Sequence, residues 1–337
     1  MIQEATKKLS QKEDLTQDQM HTVMQEIMTG ATNTPAIVDF LKALNDKGET
    51  VEELTAAVEV MRRYVTRIQT GNIPLLDTCG TGGDRKSTFN VSTTVAFVAA
   101  GCGITVAKHG NRSVSSCCGS ADILEALGVD INMSKEKIER CLDEIGIAFL
   151  FAQQLHPAMK HAMPARKEIG AKTMFNILGP LSNPAGATHQ LIGVYDRRWL
   201  GVLARVLLNL GTVHALVVHG EDGLDEITTT AGTLVSEVNK GKVSSYKISP
   251  EDFGFQKASL EDLLGGDASV NADILLDVLN AKPGPRRDIV VLNAAAAIYA
   301  ADKAASITEG IKIARDTIDS RAALKKLELL KEYSHKE

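Results

Sequence analysis

The chain has 337 residues, 44% of them hydrophobic, 23% charged and only 4% aromatic, which is enough apolar material for a large core and suggests two lobes. Its 37 Lys and Arg against 42 Asp and Glu give a formal charge of −5, which argues against a global attraction to nucleic acid while leaving room for a local basic groove that collects an anion. The five cysteines, Cys79, Cys102, Cys117, Cys118 and Cys141, form no Cys-x-x-Cys pattern and suggest a reducing cytoplasm, and the longest apolar stretch, 95–107, is too short and glycine-broken to span a membrane.

The first seventy residues read as three capped helices with no strand signal. Thr16 with Gln19 and Thr50 with Glu53 are capping boxes, and Thr34-Pro35 starts the helix between them. Met20, Val23, Met24, Ile27 and Met28 recur at helical spacing, as do Leu54, Ala57, Val58, Met61 and Val65. From Ile73 onward strands alternate with helices. Strands are expected at 73–76, 104–107, 147–150, 189–195, 213–219 and 288–292. Such alternation predicts a mainly parallel sheet covered on both faces. The domain division that follows is a helical unit over 1–70 and an α/β unit over 71–337, with a helical stretch near 160–185 returning to the small lobe. The Lys-rich end, 324–337, reads as a charged, solvent-facing helix that frays.

Three strand-to-loop junctions carry the chemistry. After the first strand, Gly80, Gly82 and Gly83 let successive N–H groups converge on an anion, and Ser87, Thr88, Asn90, Ser92 and Thr93 crowd the start of the helix that begins near Val91. The second junction, Lys108-His109-Gly110-Asn111-Arg112-Ser113-Val114-Ser115-Ser116, precedes a helix over 120–127 and mixes positive charge with neutral donors. On one edge of a parallel sheet, two such loops suit a ligand with two phosphate groups. The third, His219-Gly220-Glu221-Asp222-Gly223-Leu224-Asp225-Glu226, is acidic. It is either a solvated turn or a site that meets phosphate through Mg²⁺, and beside two phosphate loops the metal reading is favoured, with Asp225 and Glu226 as ligands.

These segments resemble the anthranilate phosphoribosyltransferase family. The blocks Gly80 to Asp84, Asn90 to Thr93, Lys108 to Arg112, Gly119-Ser-Ala-Asp122, Phe175-Asn-Ile-Leu-Gly-Pro-Leu-Ser-Asn-Pro184 and Leu224-Asp-Glu-Ile227 fall in family order and spacing across nearly the whole chain. The resemblance implies a two-lobed nucleoside phosphorylase/phosphoribosyltransferase-like fold. It also implies transfer of a phosphoribosyl group from phosphoribosyl pyrophosphate (PRPP) to the amine of anthranilate, in tryptophan biosynthesis, by a homodimer joined through its helical lobes. By position, PRPP would be held by Gly80, Gly82, Gly83, Asp84, Ser87, Thr88, Asn90, Val91, Ser92, Thr93, Lys108 to Ser116 and Ser120. Anthranilate would meet Gly80, Asn111 and Arg166. Ser92, Asp225 and Glu226 would serve magnesium, with two ions accompanying PRPP. Lys108 would ease departure of pyrophosphate, and His109 would either accept a proton from the nitrogen or only orient substrate. His156 and His161 read as structural. Where the family carries Lys or another polar residue after Val114-Ser115-Ser116, this chain has Cys117-Cys118 and lacks that charge.

Overall fold

The computed structural model describes residues 1–71, 74–84, 86–113 and 118–336. The amino-terminal part is a bundle of four helices: α1 (Ile2–Ser10), α2 (Gln17–Thr29), α3 (Thr34–Lys47) and α4 (Val51–Arg63). Both expected capping boxes form, and Asn33 caps the helix that carries Pro35. The bundle has one helix more than expected. Ile2, Ala5 and Leu9 of α1 are buried at helical spacing against α3, but Met1 offers no side-chain cap to mark its start.

The remainder alternates as predicted, as β1 (Leu75–Gly80), α5 (Val91–Gly101), β2 (Thr105–Gly110), α6 (Ser120–Ala126), α7 (Lys135–Glu144) and β3 (Ile147–Phe151). A helical stretch follows: α8 (Ala152–Leu155), a 3-10 turn at Pro157–His161, α9 (Met163–Ile169) and α10 (Met174–Leu181). Next come β4 (His189–Gly193), α11 (Trp199–Asn209), β5 (His214–Gly220), β6 (Thr233–Asn239) and β7 (Lys242–Ile248), and then α12 (Ala268–Leu279), α13 (Pro285–Ala300), α14 (Ile307–Asp319) and α15 (Ala322–His335). The sheet order is β3-β2-β1-β4-β5-β6-β7. Its first five strands are parallel and β6 and β7 antiparallel. The start of the first expected strand, Ile73, lies outside the described residues.

Chain order runs outward from β1 toward β3 on one side and from β4 toward β7 on the other. The junction of β1 and β4 is therefore a topological switch point, where connecting loops diverge and leave a crevice at the carboxyl ends of the strands. One apolar cluster packs α5, α13 and α15 on one sheet face, and a second joins the helical bundle to α10, α11 and the other face. In the helical stretch, α9 packs on α3 and α10 on α4.

Three expectations are corrected. Residues 288–292 belong to α13, not to a strand: Gly284, at φ 134°, and Pro285 open a 16-residue helix. A short apolar run cannot by itself distinguish a buried strand from a helix buried all round. The expected strands do not include the hairpin β6-β7, in which Lys240 and Gly241, at φ 49° and 71°, make a two-residue turn between β-rich runs. The terminal helix α15 does not stand in solvent. Ala323, Leu327 and Leu330 are buried against the sheet domain, and the Ser334 hydroxyl accepts the Asp130 N–H at 3.0 Å.

Helix α13 also supports the acidic loop. Asn293, fully buried, accepts the Ile227 N–H at 2.9 Å and donates to the Ile227 carbonyl at 2.7 Å and the Ile289 carbonyl at 2.9 Å. Replacing Asn293 by Ala orphans buried backbone groups, so urea unfolding should show a loss of about 2–4 kcal/mol.

Candidate active site

The loops after β1, β2 and β5 all leave the carboxyl edge of the sheet, and they meet at the switch point. Gly80 and Gly193 are paired across β1 and β4. The main chain of Asp225 lies directly on this pair: a Cβ on Gly193 would overlap the Asp225 carbonyl oxygen, and one on Gly80 would stand 2.6 Å from its carboxylate. Gly82 and Gly83 take φ 63° and 80°, a conformation side chains resist, and the Gly82 N–H donates to Asp225 Oδ2 at 2.9 Å. Gly193 was invisible to motif reading because its role is set by a loop 32 residues later.

Asp84, Asp225 and Glu226 come together here. Burial, then the charge of Asp84, pushes the Asp225 carboxyl up to about 7; burial and the Asp225 charge hold Glu226 well above the usual carboxylate range, and burial raises Asp84. Asp225 and Glu226 nevertheless keep part of their surface open to the crevice. The Ser92 N–H, at the start of α5, donates to Glu226. Among the described residues, Oδ2 of Asp84 is buried without a hydrogen-bond partner, as are Oδ1 of Asn90 and Oγ1 of Thr93. Orphaned oxygens at one edge imply an occupant that supplies donors or a cation.

The basic residues sit differently from a simple phosphate cradle. Lys108 is buried, its ammonium donating to the Thr78 carbonyl at 2.6 Å and to Ser92 Oγ at 3.4 Å; burial lowers its pKa, opposed by Asp77. Arg112 is held by Asp122 at 3.0 Å and doubly by Glu125 at 2.5 and 2.8 Å, and so turns toward α6. Val91 is a core residue whose N–H already bonds the Phe89 carbonyl. Ser87 and Thr88 lie in a stretch pinned by backbone bonds to residues 263–265. Asn90 reaches the Cys118 carbonyl at 3.2 Å and so joins the first two loops. Gly110 ends β2, Ser120 Oγ accepts the Asn111 N–H at 3.1 Å, and the Ser113 N–H donates to Asp122. Val114, Ser115, Ser116 and Cys117 lie outside the described residues.

Sequence reasoning set His156 aside, yet its Nε2 stands 3.1 Å from Nε2 of His109, and both rings are buried. The Gly179 backbone also acts on the His109 ring and favours its charged form, against the burial. With both imidazoles neutral, one of the two facing nitrogens donates to the other. Burial pulls His156 down to about 4 and His109 well below the ordinary histidine value. Asp77, fully buried and pushed up to about 6 by burial, accepts the His109 N–H at 3.1 Å and the Asn183 amide at 2.8 Å. His156 and Asp77 lacked a sequence signal because their partners are 47 and 32 residues away.

The helical stretch after β3 touches the loops that follow β1 and β2 repeatedly. Besides His156 on His109, Gln153 donates to Asn111 Oδ1 at 3.1 Å, and Lys172 donates to the Gly83 carbonyl at 2.8 Å. On α9, Arg166 faces the Phe175 ring at 5.8 Å, and among the described residues no carboxylate pairs with it. A guanidinium beside an aromatic wall is a ready site for a planar carboxylate.

Residues 72–324 match the family described as "Glycosyl transferase family, a/b domain", and residues 3–65 match "Glycosyl transferase family, helical bundle domain", so the two-lobed fold and its crevice define a glycosyl transferase. Among curated proteins, an anthranilate phosphoribosyltransferase of Syntrophobacter fumaroxidans is 53% identical over 99% of both chains. Among solved structures, the anthranilate phosphoribosyltransferase of Thermus thermophilus is 41% identical, with a TM-score of 0.94 over 98% of this chain and 99% of that one. The Saccharomyces cerevisiae enzyme in complex with PRPP and Mg is 27% identical, with a TM-score of 0.90 over 99% and 97%. The chain belongs to the anthranilate phosphoribosyltransferase family.

The raised pKa of Asp225 gives a test of the site's electrostatics. A carboxyl whose folded pKa lies near 7, above its unfolded value near 3.8, contributes stability that is present at low pH and lost as pH rises through about 7. D225N does not titrate. In ligand-free protein, its Tm minus that of wild type should therefore climb between about pH 4 and 7 and then level off, as followed by differential scanning fluorimetry.

Proposed function

We propose that the chain transfers the 5-phosphoribosyl group of PRPP to the amino group of anthranilate, releasing pyrophosphate, as the second step from chorismate toward tryptophan. The observation that carries this reading is the convergence of the glycine-rich loop, the Lys108–Ser113 loop and the Asp225-Glu226 turn on the β1-β4 crevice, with Arg166 on the adjoining segment paired to no carboxylate among the described residues.

PRPP takes the crevice, with the Gly80–Gly83 backbone and the α5 start, Asn90 to Thr93, around its phosphates, and the described residues Lys108 to Ser113 and Ser120 on the other side. Anthranilate takes the adjoining segment, its carboxylate on Arg166, with Asn111 and Gly80 beside its ring. Magnesium fits the donor set. Asp225, Glu226 and Ser92 offer hard oxygens, and Asp84 Oδ2 lacks a partner. Among the described residues no three His, Cys, Asp or Glu side chains form a preformed cage. That suits an ion which keeps its waters and binds one or two carboxylates together with substrate phosphates. Two ions with PRPP are part of this reading. When bound, magnesium neutralises charge that builds on departing pyrophosphate.

The protein's own groups do the rest. The aryl amine of anthranilate is already neutral, so its lone pair attacks the anomeric carbon without a strong base. The C–N bond forms as the bond to the pyrophosphate oxygen breaks, and the positive charge that develops on the ribose is faced by the acidic turn. Lys108 acts from beneath, keeping Ser92 and the carboxylates oriented rather than reaching into the crevice. His109 is neutral, buried and engaged at Nε2 by His156, so orientation of the acceptor is its better-supported role. The proton lost by the nitrogen passes to the departing pyrophosphate or to solvent. Proximity supplies much of the acceleration.

The two lobes divide near residue 70, with the 160–185 stretch riding on the helical one. A homodimer through the helical lobe and a cytoplasmic location complete the reading, supported by the resemblance and by irregular, unbridged cysteines among the described residues. No described helix is long and apolar enough to cross a membrane.

Loss of anthranilate fluorescence that requires PRPP and Mg²⁺ together tests the reading; consumption of thymidine or uridine with free phosphate instead would overturn it. R166A should raise the KM for anthranilate at least ~10-fold while leaving the KM for PRPP within about twofold. E226Q should lower kcat by ~100-fold or more, because it removes a charge that matters most as the leaving group departs.

A further inference from the structure

Lys172 lies in the short connection between α9, which ends at Gly170 in a left-handed conformation, and α10, which Thr173 opens. Nothing in the sequence around it marks it. Its main chain thus belongs to the segment that carries Arg166 and packs on the helical bundle. Its head reaches the sheet domain. The ammonium donates to the Gly83 carbonyl at 2.8 Å and stands 2.9 Å from the centroid of the Tyr195 ring. Gly83 makes room for it, since a Cβ there would lie 2.7 Å from both Cε and Nζ.

Tyr195 is itself tied to the same loop. Its N–H donates to Thr81 Oγ1 at 3.2 Å, and the Thr81 N–H donates to the Gly193 carbonyl at 2.9 Å. The end of β4, the glycine-rich loop and Lys172 therefore form one connected unit. A charge-assisted bond and a cation on an aromatic face are strong, directional contacts. They hold Gly83 at the place where the phosphate-binding loop turns. The Lys172 charge also opposes the burial that raises Asp84 and Asp225.

We propose that Lys172 is a positioning residue that couples the anthranilate-binding segment to the phosphate loop, so that filling the loop with pyrophosphate sets Arg166 for the acceptor. This rests on the reaction assigned above. The lysine touches the loop's carbonyl, not substrate, so its effect is on coupling between two sites. Coupling is a free energy shared reciprocally by both ligands.

The test uses the full chain and two probes that do not react together, anthranilate and magnesium pyrophosphate. Anthranilate affinity is read from its own fluorescence, with and without saturating pyrophosphate. In wild type, pyrophosphate should tighten anthranilate by about 5-fold or more. K172M should bring that factor to within about twofold of unity while anthranilate affinity in the absence of pyrophosphate and Tm stay near wild type; K172R, which keeps the charge and can still reach Gly83, should restore most of the coupling. Y195L, which removes the ring but not the lysine, should give an intermediate factor. Wild-type coupling in K172M, or no coupling in wild type, overturns the proposal. So does K172M failing equally in both arms, with K172R no better, since that is the behaviour of a structural residue. Failure of the underlying reaction is seen separately, as wild-type protein that does not consume anthranilate with PRPP and Mg²⁺.

Discussion

The site depends on one close approach, the seating of the Asp225 main chain on the Gly80–Gly193 pair. Two strands that separate in chain order are joined at their carboxyl ends by two residues without side chains, and a third loop fills the space a Cβ would take. A side chain at Gly193 would lift the acidic turn off the sheet, and one at Gly80 would crowd the Asp225 carboxylate. With the turn seated, its carboxylate meets the Gly82 N–H, and the glycine-rich loop acquires a fixed wall. The conformational freedom of glycine is thus used twice, once to bend the loop and once to admit the neighbour.

Seating carboxylates this close has an electrostatic cost that shapes the chemistry. Asp84, Asp225 and Glu226 cannot all ionise cheaply while they face one another in a crowded crevice, so they hold protons above the ordinary carboxylate range. Lys108 and Lys172 offset part of that charge from below and from the side, and neither is spent on open solvent. Arg112 is the counterexample: its two carboxylate partners on α6 neutralise it, and it braces a loop rather than supplying a field.

The neutral histidine pair expresses the same economy. A charged imidazole beside Lys108 in a buried setting would be expensive, and so His109 and His156 share one proton between facing nitrogens and stay uncharged. Their contact also joins β2 to the segment after β3. Together with Gln153 on Asn111 and Lys172 on Gly83, it makes three points at which the helical stretch after β3 touches the loops that follow β1 and β2.

Much of this was legible in the sequence where the causes are local. Capping boxes, apolar periodicity and glycine turns act over a few residues, so the mainly parallel sheet, the helical amino-terminal part and the loops at strand ends could be read directly, and six ordered motif blocks carried the family. Local patterns misled where burial was symmetric: residues 289–292 are apolar on every side because α13 is enclosed, and period alone cannot separate that from a strand. They misled again at α15, whose stripe of Ala323, Leu327 and Leu330 is thin beside its lysines. Only the tertiary structure decided that Gly193 faces Asp225, that His156 meets His109, that Arg112 is spent on α6 and that Lys172 crosses to Gly83. Each of these pairs residues separated by at least ten positions, and most by more than thirty, and a contact made across the sheet edge leaves no periodicity in either partner for a reader of the chain to find.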